Sequence, residues 1–281
     1  MNGPDFQFQP SSRMRDRIAS LPPQRRGVLR LDGGSLYAAL LCFAAALAFL
    51  MLRLDAQTWF DHPLILALNR FAGRWPALDR VAVIIQEFNL PKGGLIFALA
   101  AAAFAVCPTV TGRAQLVVGC VGALLAAVAS RTVQLFLPNI PRPLFDPALH
   151  FVPPVDADLK ALHDWSSFPS DNAALLFGVT LAAWFADRRI GLMGMLVFLV
   201  AALARVYGGL HYPSDMFGGA ALSAACVFVA RSVDLSFLEN HRDWFHRYRA
   251  VWAALAFLFA FQAASLFDDL RAIAVLLKKW S

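Results

Sequence analysis

Charge is scarce where a soluble protein would need it. Only 16% of the 281 residues are charged, against 59% hydrophobic, and the mean hydropathy is +0.57. That balance excludes an ordinary soluble domain and points to an integral membrane protein. No ionisable residue interrupts the centre of any long apolar run. A channel or transporter usually carries such charges, so that class is disfavoured. Cysteine is also sparse: Cys42, Cys107, Cys120 and Cys226, with no CxxC and no Cys/His spacing. A zinc site therefore lacks support, and the four thiols are expected to pack as small buried groups inside spans. No metal and no cofactor is expected. There is no internal repeat, and the arginine-rich first 30 residues do not read as a simple secretory signal.

What the sequence does have is length in its apolar runs. A span needs about 20 mostly apolar residues. Seven segments qualify: 34–54, 93–110, 114–137, 171–187, 190–208, 213–233 and 249–267. The expected fold class is an all-α integral membrane protein. The expected organisation is a basic cytoplasmic tail over 1–33, a membrane domain over 34–235 and a C-terminal extra helix with its anchor over 236–281. The net charge of +6 and pI near 9.5 do not argue for nucleic acid, because the basic residues flank the spans. Arg13, Arg15, Arg17, Arg25, Arg26 and Arg30 precede the first span, which fits a cytoplasmic N-terminus beside anionic lipid. Starting inside, the 138–170 loop and the 206–213 turn fall on the same outer face, because two crossings separate them. The 55–92 segment, with Trp59, Leu64, Leu66, Leu68, Phe71, Trp75 and Leu78, reads equally well as interfacial helices or as a packed lid. The seventh span and Arg271, Lys278, Lys279 and Trp280 suggest packing, a homo-oligomer contact or an outer anchor.

Three fragments carry chemistry. Residues 204–215 read ARVYGGLHYPSD and place Arg205, His211 and Asp215 at the mouth of two apolar segments, spaced Arg-x5-His-x3-Asp. A neutral imidazole can attack phosphorus if an acceptor holds its other nitrogen, and Asp215 is within reach for that role. A lone interfacial His would more often be structural. Pro141-Arg142-Pro143 adds a second guanidinium, and Arg142 and Arg205 offer planar forks of donors suited to a phosphoryl group. Phe168-Pro169-Ser170-Asp171-Asn172 opens the fourth span, where free backbone N–H groups form an anion site. Ser170 or Asp171 as a plain N-cap is compatible with that. Gly208 and Gly209 would let backbone approach a ligand.

These fragments resemble the type-2 phosphatidic acid phosphatase superfamily, whose pattern is K-x6-RP, then PSGH, then SR-x5-H-x3-D on a six-helix membrane core. The likeness covers roughly 60–235, including Leu68-Asn69-Arg70-Phe71-Ala72-Gly73 and Lys92-Gly93-Gly94. It looks most like the bacterial members with FPSDHA as second motif, some of which dephosphorylate undecaprenyl diphosphate. The resemblance implies a six-helix core plus one extra C-terminal helix and a lipid phosphate or diphosphate as substrate. It implies that His211 is the nucleophile and Asp215 its partner. Arg142, Arg205 and Ser170 would be the phosphate ligands, and Asp171 and Arg131 complete the candidate phosphate-binding set. It also implies a site facing outward from a bacterial inner membrane, toward the periplasm or exterior.

Two positions depart from the pattern. Leu135 stands where the first motif has Lys, and Arg131, one helical turn away, is the candidate replacement cation. Asn172 stands where the second motif has the general-acid His. An amide cannot transfer a proton in that role, and a positioned acid contributes about 10²–10⁴-fold. An alkoxide leaving group needs that proton badly. A phosphate monoester leaving group, with a second pKa of about 6, needs it far less. The expectation is a preference for lipid diphosphate over lipid monophosphate. His163, Asp164 and Asp171 are candidate substitute acids. Phosphotransfer through the same histidine, or lipid-phosphate binding without turnover, are the competing readings.

Overall fold

The computed structural model describes residues 31–54, 59–136, 140–157, 159, 165–241, 243 and 247–248. Among them every regular element is helical, and the only strand-like pairing is one bridge, Leu31 to Val233. The helices are α1 (Gly33–Leu54), α2 (Asp61–Asn69), α3 (Pro76–Glu87), α4 (Leu95–Val106), α5 (Val110–Phe136), α6 (Asp171–Ala186), α7 (Arg188–Tyr207) and α8 (Pro213–Ser232).

Helices α1, α5, α7 and α8 are each long and apolar enough to cross a membrane. The expected span at 93–110 takes another form. A π-helical turn over Leu90–Gly94 precedes α4, and α3 meets the 90–106 segment at 67°, so this pair forms a broken crossing or a re-entrant loop. Helix α6 has 16 residues, a rise of about 24 Å, short of a full hydrocarbon core of about 30 Å. It is the helix most enclosed by its neighbours. Ala173, Ala174, Leu175, Leu176, Val179, Ala182 and Ala183 are all buried, which leaves little of α6 to face lipid. The expected span at 249–267 and the 1–30 tail lie outside the described residues.

Helices α5, α6 and α8 pack against one another; α1 covers α8, and α4 and α7 flank α6. Small residues let these backbones close up, as in membrane helix pairs generally. A Cβ on Gly178 of α6 would lie 2.0 Å from Ser223 Oγ of α8 and 2.5 Å from Ala123 Cβ of α5. That glycine is where three helices meet. Helices α2 and α3 form the 55–92 segment's two short helices, with Leu64, Leu66 and Leu78 on them and Trp59, Phe71 and Trp75 beside them exposed. The loop after α5 folds onto them: Asn69 exchanges hydrogen bonds with the Val152 backbone at 2.6 and 2.9 Å. Of the four cysteines, all free, only Cys107 is buried, and it lies in the α4–α5 turn rather than in a span.

Candidate active site

The loop between α5 and α6 and the turn between α7 and α8 meet on one face, as expected from the sequence. Leu144 N–H donates to Gly209 O at 3.0 Å, Ser170 N–H donates to Asp215 O at 3.1 Å, and Ser167 N–H donates to Ile140 O at 3.0 Å. Gly209 has φ +70°, and a Cβ there would lie 2.7 Å from the Phe151 ring. Its freedom therefore seats the loop against the turn, rather than admitting a ligand as the sequence suggests.

His211, fully buried, lies between two groups that settle its tautomer. Nε2 is 3.2 Å from Arg142 Nη1, which can only donate. Nδ1 is 3.0 Å from Ser167 O, which can only accept. The proton therefore sits on Nδ1, and the lone pair on Nε2 accepts from the guanidinium. Burial, and then the Arg142 charge, push the imidazole below its ordinary range; Asp215 opposes this. The ring is thus held neutral. Asp215 Oδ2 stands 3.7 Å from Nδ1, so the group that holds the ring is the Ser167 carbonyl. Asp215, the expected partner, lies within ion-pair distance behind it, and its Oδ2 also accepts from Tyr212 N–H at 2.8 Å, closing the first turn of α8.

Arg142 is buried and gathers its own loop. Nη1 donates to Leu210 O and Nη2 to Ser166 O at 3.3 Å. Its Nε has no partner among the described residues. Burial lowers its pKa to about 10, opposed by Asp215 and Asp171, so it remains a cation at neutral pH. Arg205, also buried, donates from Nη2 to Asn172 Oδ1 at 2.9 Å. Asn172 in turn donates from Nδ2 to Asp171 Oδ1 at 3.1 Å. Asn172 thus links the cation of α7 to a carboxylate, and its amide is oriented by both.

The remaining expected residues divide. Ser170 caps α6, its Oγ accepting from Ala173 N–H at 3.2 Å. Asp171 cannot itself ligate phosphate, since both are anions; its oxygens receive Asn172 N–H at 2.8 Å and face Arg131 at 3.8 Å. Arg131 stacks over the Trp165 ring at 3.6 Å and donates to Gln134 Oε1 at 2.9 Å, on the rim beside Asp171. Leu135, which replaces the family's Lys, points outward at 65% exposure, whereas Gln134 is buried and donates to Pro169 O at 2.6 Å. Gln134, the residue before it, takes the inward position. His163 and Asp164 lie outside the described residues.

Sequence reasoning missed Arg53 and Asp61. Arg53, at the end of α1, is buried with Nη1 3.1 Å from Asp61 Oδ2 and Nε 3.5 Å from Asp215 Oδ1. Its guanidinium lies 3.9 Å over the Tyr212 ring. Asp61 accepts from Ser214 N–H at 2.9 Å and from Ser214 Oγ–H at 2.6 Å. The available signal was an Arg at the end of an apolar run with an Asp eight residues on. It is indistinguishable by sequence from an ordinary flanking anchor.

The assembly is a buried imidazole with its lone pair turned toward guanidinium groups, at the end of a membrane helix bundle. Residues 116–236 match the PAP2 superfamily family model, which includes the Arg142, Asn172, Arg205 and His211 positions. Through this segment, which is less than half of its length, the chain resembles the PAP2 superfamily. It is similar to undecaprenyl-diphosphatase BcrC of Bacillus subtilis (strain 168), with 22% identity over 60% of this chain and 81% of that protein. It is also similar to the bacitracin transport permease protein BcrC of Bacillus licheniformis, with 32% identity over 27% of this chain and 38% of that one. The match thus spans well under half of the Bacillus licheniformis protein. Among solved structures, the transmembrane PAP2 type phosphatidylglycerolphosphate phosphatase from Bacillus subtilis aligns with a TM-score of 0.43 and 22% identity. That alignment covers 69% of this chain and 94% of that one.

Proposed function

We propose that this chain is a PAP2-type membrane lipid-diphosphate phosphatase working through a phosphohistidine, with a polyprenyl diphosphate such as undecaprenyl diphosphate as substrate. The observation that carries the reading is the tautomer: Nδ1–H on Ser167 O leaves the unprotonated Nε2 beside the Arg142 guanidinium, a group suited to hold a phosphoryl oxygen next to it. The similarity to a protein named undecaprenyl-diphosphatase supports the substrate class.

In the first step Nε2 attacks the terminal phosphorus. The P–N bond forms as the P–O bond to the lipid monophosphate breaks, and the leaving oxygen keeps the electron pair. Arg142 and Arg205 neutralise the equatorial oxygens, where most of the catalytic benefit of phosphoryl transfer lies. Arg205 reaches them by exchanging its bond to Asn172. The lipid monophosphate departs as a stable anion, so the absent acid at Asn172 costs little. In the second step water attacks phosphorus, its proton ends on the released phosphate, and Nε2 recovers its lone pair. The site opens on the outer side of a bacterial cytoplasmic membrane in this reading.

Phosphotransfer is the second reading. It is favoured by the Asn172 amide, which is oriented by Arg205 and Asp171 and so suits holding an acceptor. Purified protein given undecaprenyl diphosphate tests both. Free phosphate that vanishes in His211→Ala supports hydrolysis. A phosphorylated acceptor without free phosphate supports transfer. No turnover and no covalent phosphate, with the lipid still bound, would leave a binding protein and sink the proposal.

A further inference from the structure

The phosphohistidine reading leaves one charge unaccounted for. When Nε2 of an Nδ1–H imidazole bonds to phosphorus, the ring becomes an imidazolium, with its positive edge at Nδ1. That edge faces Ser167 O and, at 3.7 Å, Asp215 Oδ2. Behind Asp215 stand one buried cation and a second buried carboxylate. Arg53 bridges Asp61 at 3.1 Å and Asp215 at 3.5 Å, drawn from α1, α2 and α8. Three donors converge on Asp61: Ser214 N–H, Ser214 Oγ–H and Arg53 Nη1. Burial, with Asp215 adding to it, pushes Asp61 above the ordinary carboxylate range; the Ser214 and Arg53 donors oppose this and favour the carboxylate form. The triad therefore carries a net single negative charge, all of it buried, against the nitrogen that turns positive.

We infer that Arg53 and Asp61 are positioning residues that divide Arg53's charge between two carboxylates and so keep Asp215 negative enough to stabilise the imidazolium of His211. Arg53 shared between two partners neutralises Asp215 only in part. Were Asp61 uncharged, Arg53 would pair with Asp215 alone and cancel it. Asp61 also fixes the start of α8 through Ser214, so Asp215 cannot swing away, and Arg53 over the Tyr212 ring anchors the preceding residue. The other charged groups facing His211 are Arg142 from the α5–α6 loop, Arg205 from α7 and Asp171 from α6. None of these touches Arg53 or Asp61. This inference rests on the phosphohistidine reading, yet its test does not need turnover.

The test is the titration of His211 in the full chain, purified in detergent with isotopically labelled histidine and followed by NMR. Loss of one resonance in His211→Gln assigns the signal. Asp61→Asn keeps the shape and removes one negative charge, so the midpoint should fall, by about one pH unit for a charge acting at about 8–10 Å through an effective dielectric near 20. Asp61→Glu should restore the wild-type midpoint. Arg53→Gln removes the cation and should raise the midpoint, the opposite sign, which a purely structural role would not produce. If Asp61→Asn does not fold, Arg53→Gln decides. Midpoints within about 0.2 unit of the wild type in the variants that fold would overturn the inference. Phosphate release by that same wild type would leave the phosphatase reading intact. Conversely, opposite shifts in a protein that releases no phosphate would keep the charge coupling and remove the phosphatase.

Discussion

Replacing Asn172 with His should change which substrate the protein prefers more than how fast it works on its best one. Asn172 is nearly buried, between Arg205 Nη2 at 2.9 Å and Asp171 Oδ1 at 3.1 Å, with no dissociable proton. A histidine there gains a proton to give. A positioned acid contributes about 10²–10⁴-fold, and the lower end applies because the Arg205 charge disfavours the protonated ring. For phosphatidic acid, whose leaving group is an alkoxide, the expected gain is about 10²-fold, or about 2.7 kcal/mol of barrier. For a polyprenyl diphosphate, whose leaving group has a second pKa of about 6, the expected gain is below about tenfold. The assay is phosphate release from each lipid in matched detergent, for wild type and Asn172→His. Equal gains on both lipids, or a larger gain on the diphosphate, would refute the leaving-group argument.

Three further outcomes are expected. Because burial holds His211 below its ordinary pKa of 6.5, the unfolded chain takes up the proton first. The wild type should therefore lose stability as pH falls through about 6.5, and its Tm should drop more steeply between about pH 7 and 5 than that of His211→Gln; parallel curves would contradict this. Gly219→Ala would place a Cβ 2.3 Å from Ser170 O, so it should cost about 1–3 kcal/mol and lower both Tm and phosphate release. An unchanged Tm would mean that α8 does not press on that loop. Tyr207→Phe strips Asp79 of its hydroxyl donor, leaving the carboxylate with the Gly73 and Val155 amides, and should lower Tm by an amount equivalent to about 1.5–3 kcal/mol. Protease resistance of the 140–157 loop equal to the wild type's would show that the tie is dispensable.

The spans were legible because an apolar run of membrane length has few other uses. Their ends fell within a few residues of the helices at α1, α5, α7 and α8. The 93–110 run was read as straight, and the π-turn at Leu90–Gly94 broke it, since a local change in hydrogen-bond register leaves no mark on hydropathy. Helix α6 is apolar like the other runs, and its near-complete burial is set by tertiary neighbours that hydropathy does not reveal. Arg142, Arg205 and His211 converge as their motifs imply. The holder of the imidazole did not emerge from the sequence, because it is a backbone carbonyl and any residue at Ser167 supplies one. Asp215 is spaced correctly to reach His211, but its place at the third position of α8 turns one oxygen to the Tyr212 amide. Arg53 and Asp61 escaped notice for a related reason: their pairing is tertiary, and each alone resembles a charge at a membrane edge.

The account turns on a covalent phosphate at His211. The direct measurement is to quench the full protein with undecaprenyl diphosphate labelled at its terminal phosphate, and to locate the label by peptide mapping under alkaline conditions that preserve P–N bonds. The account predicts an acid-labile label on the peptide containing His211, absent in His211→Ala and chased by water into free phosphate. Phosphate release with no such label, or release that persists in His211→Ala, would contradict it.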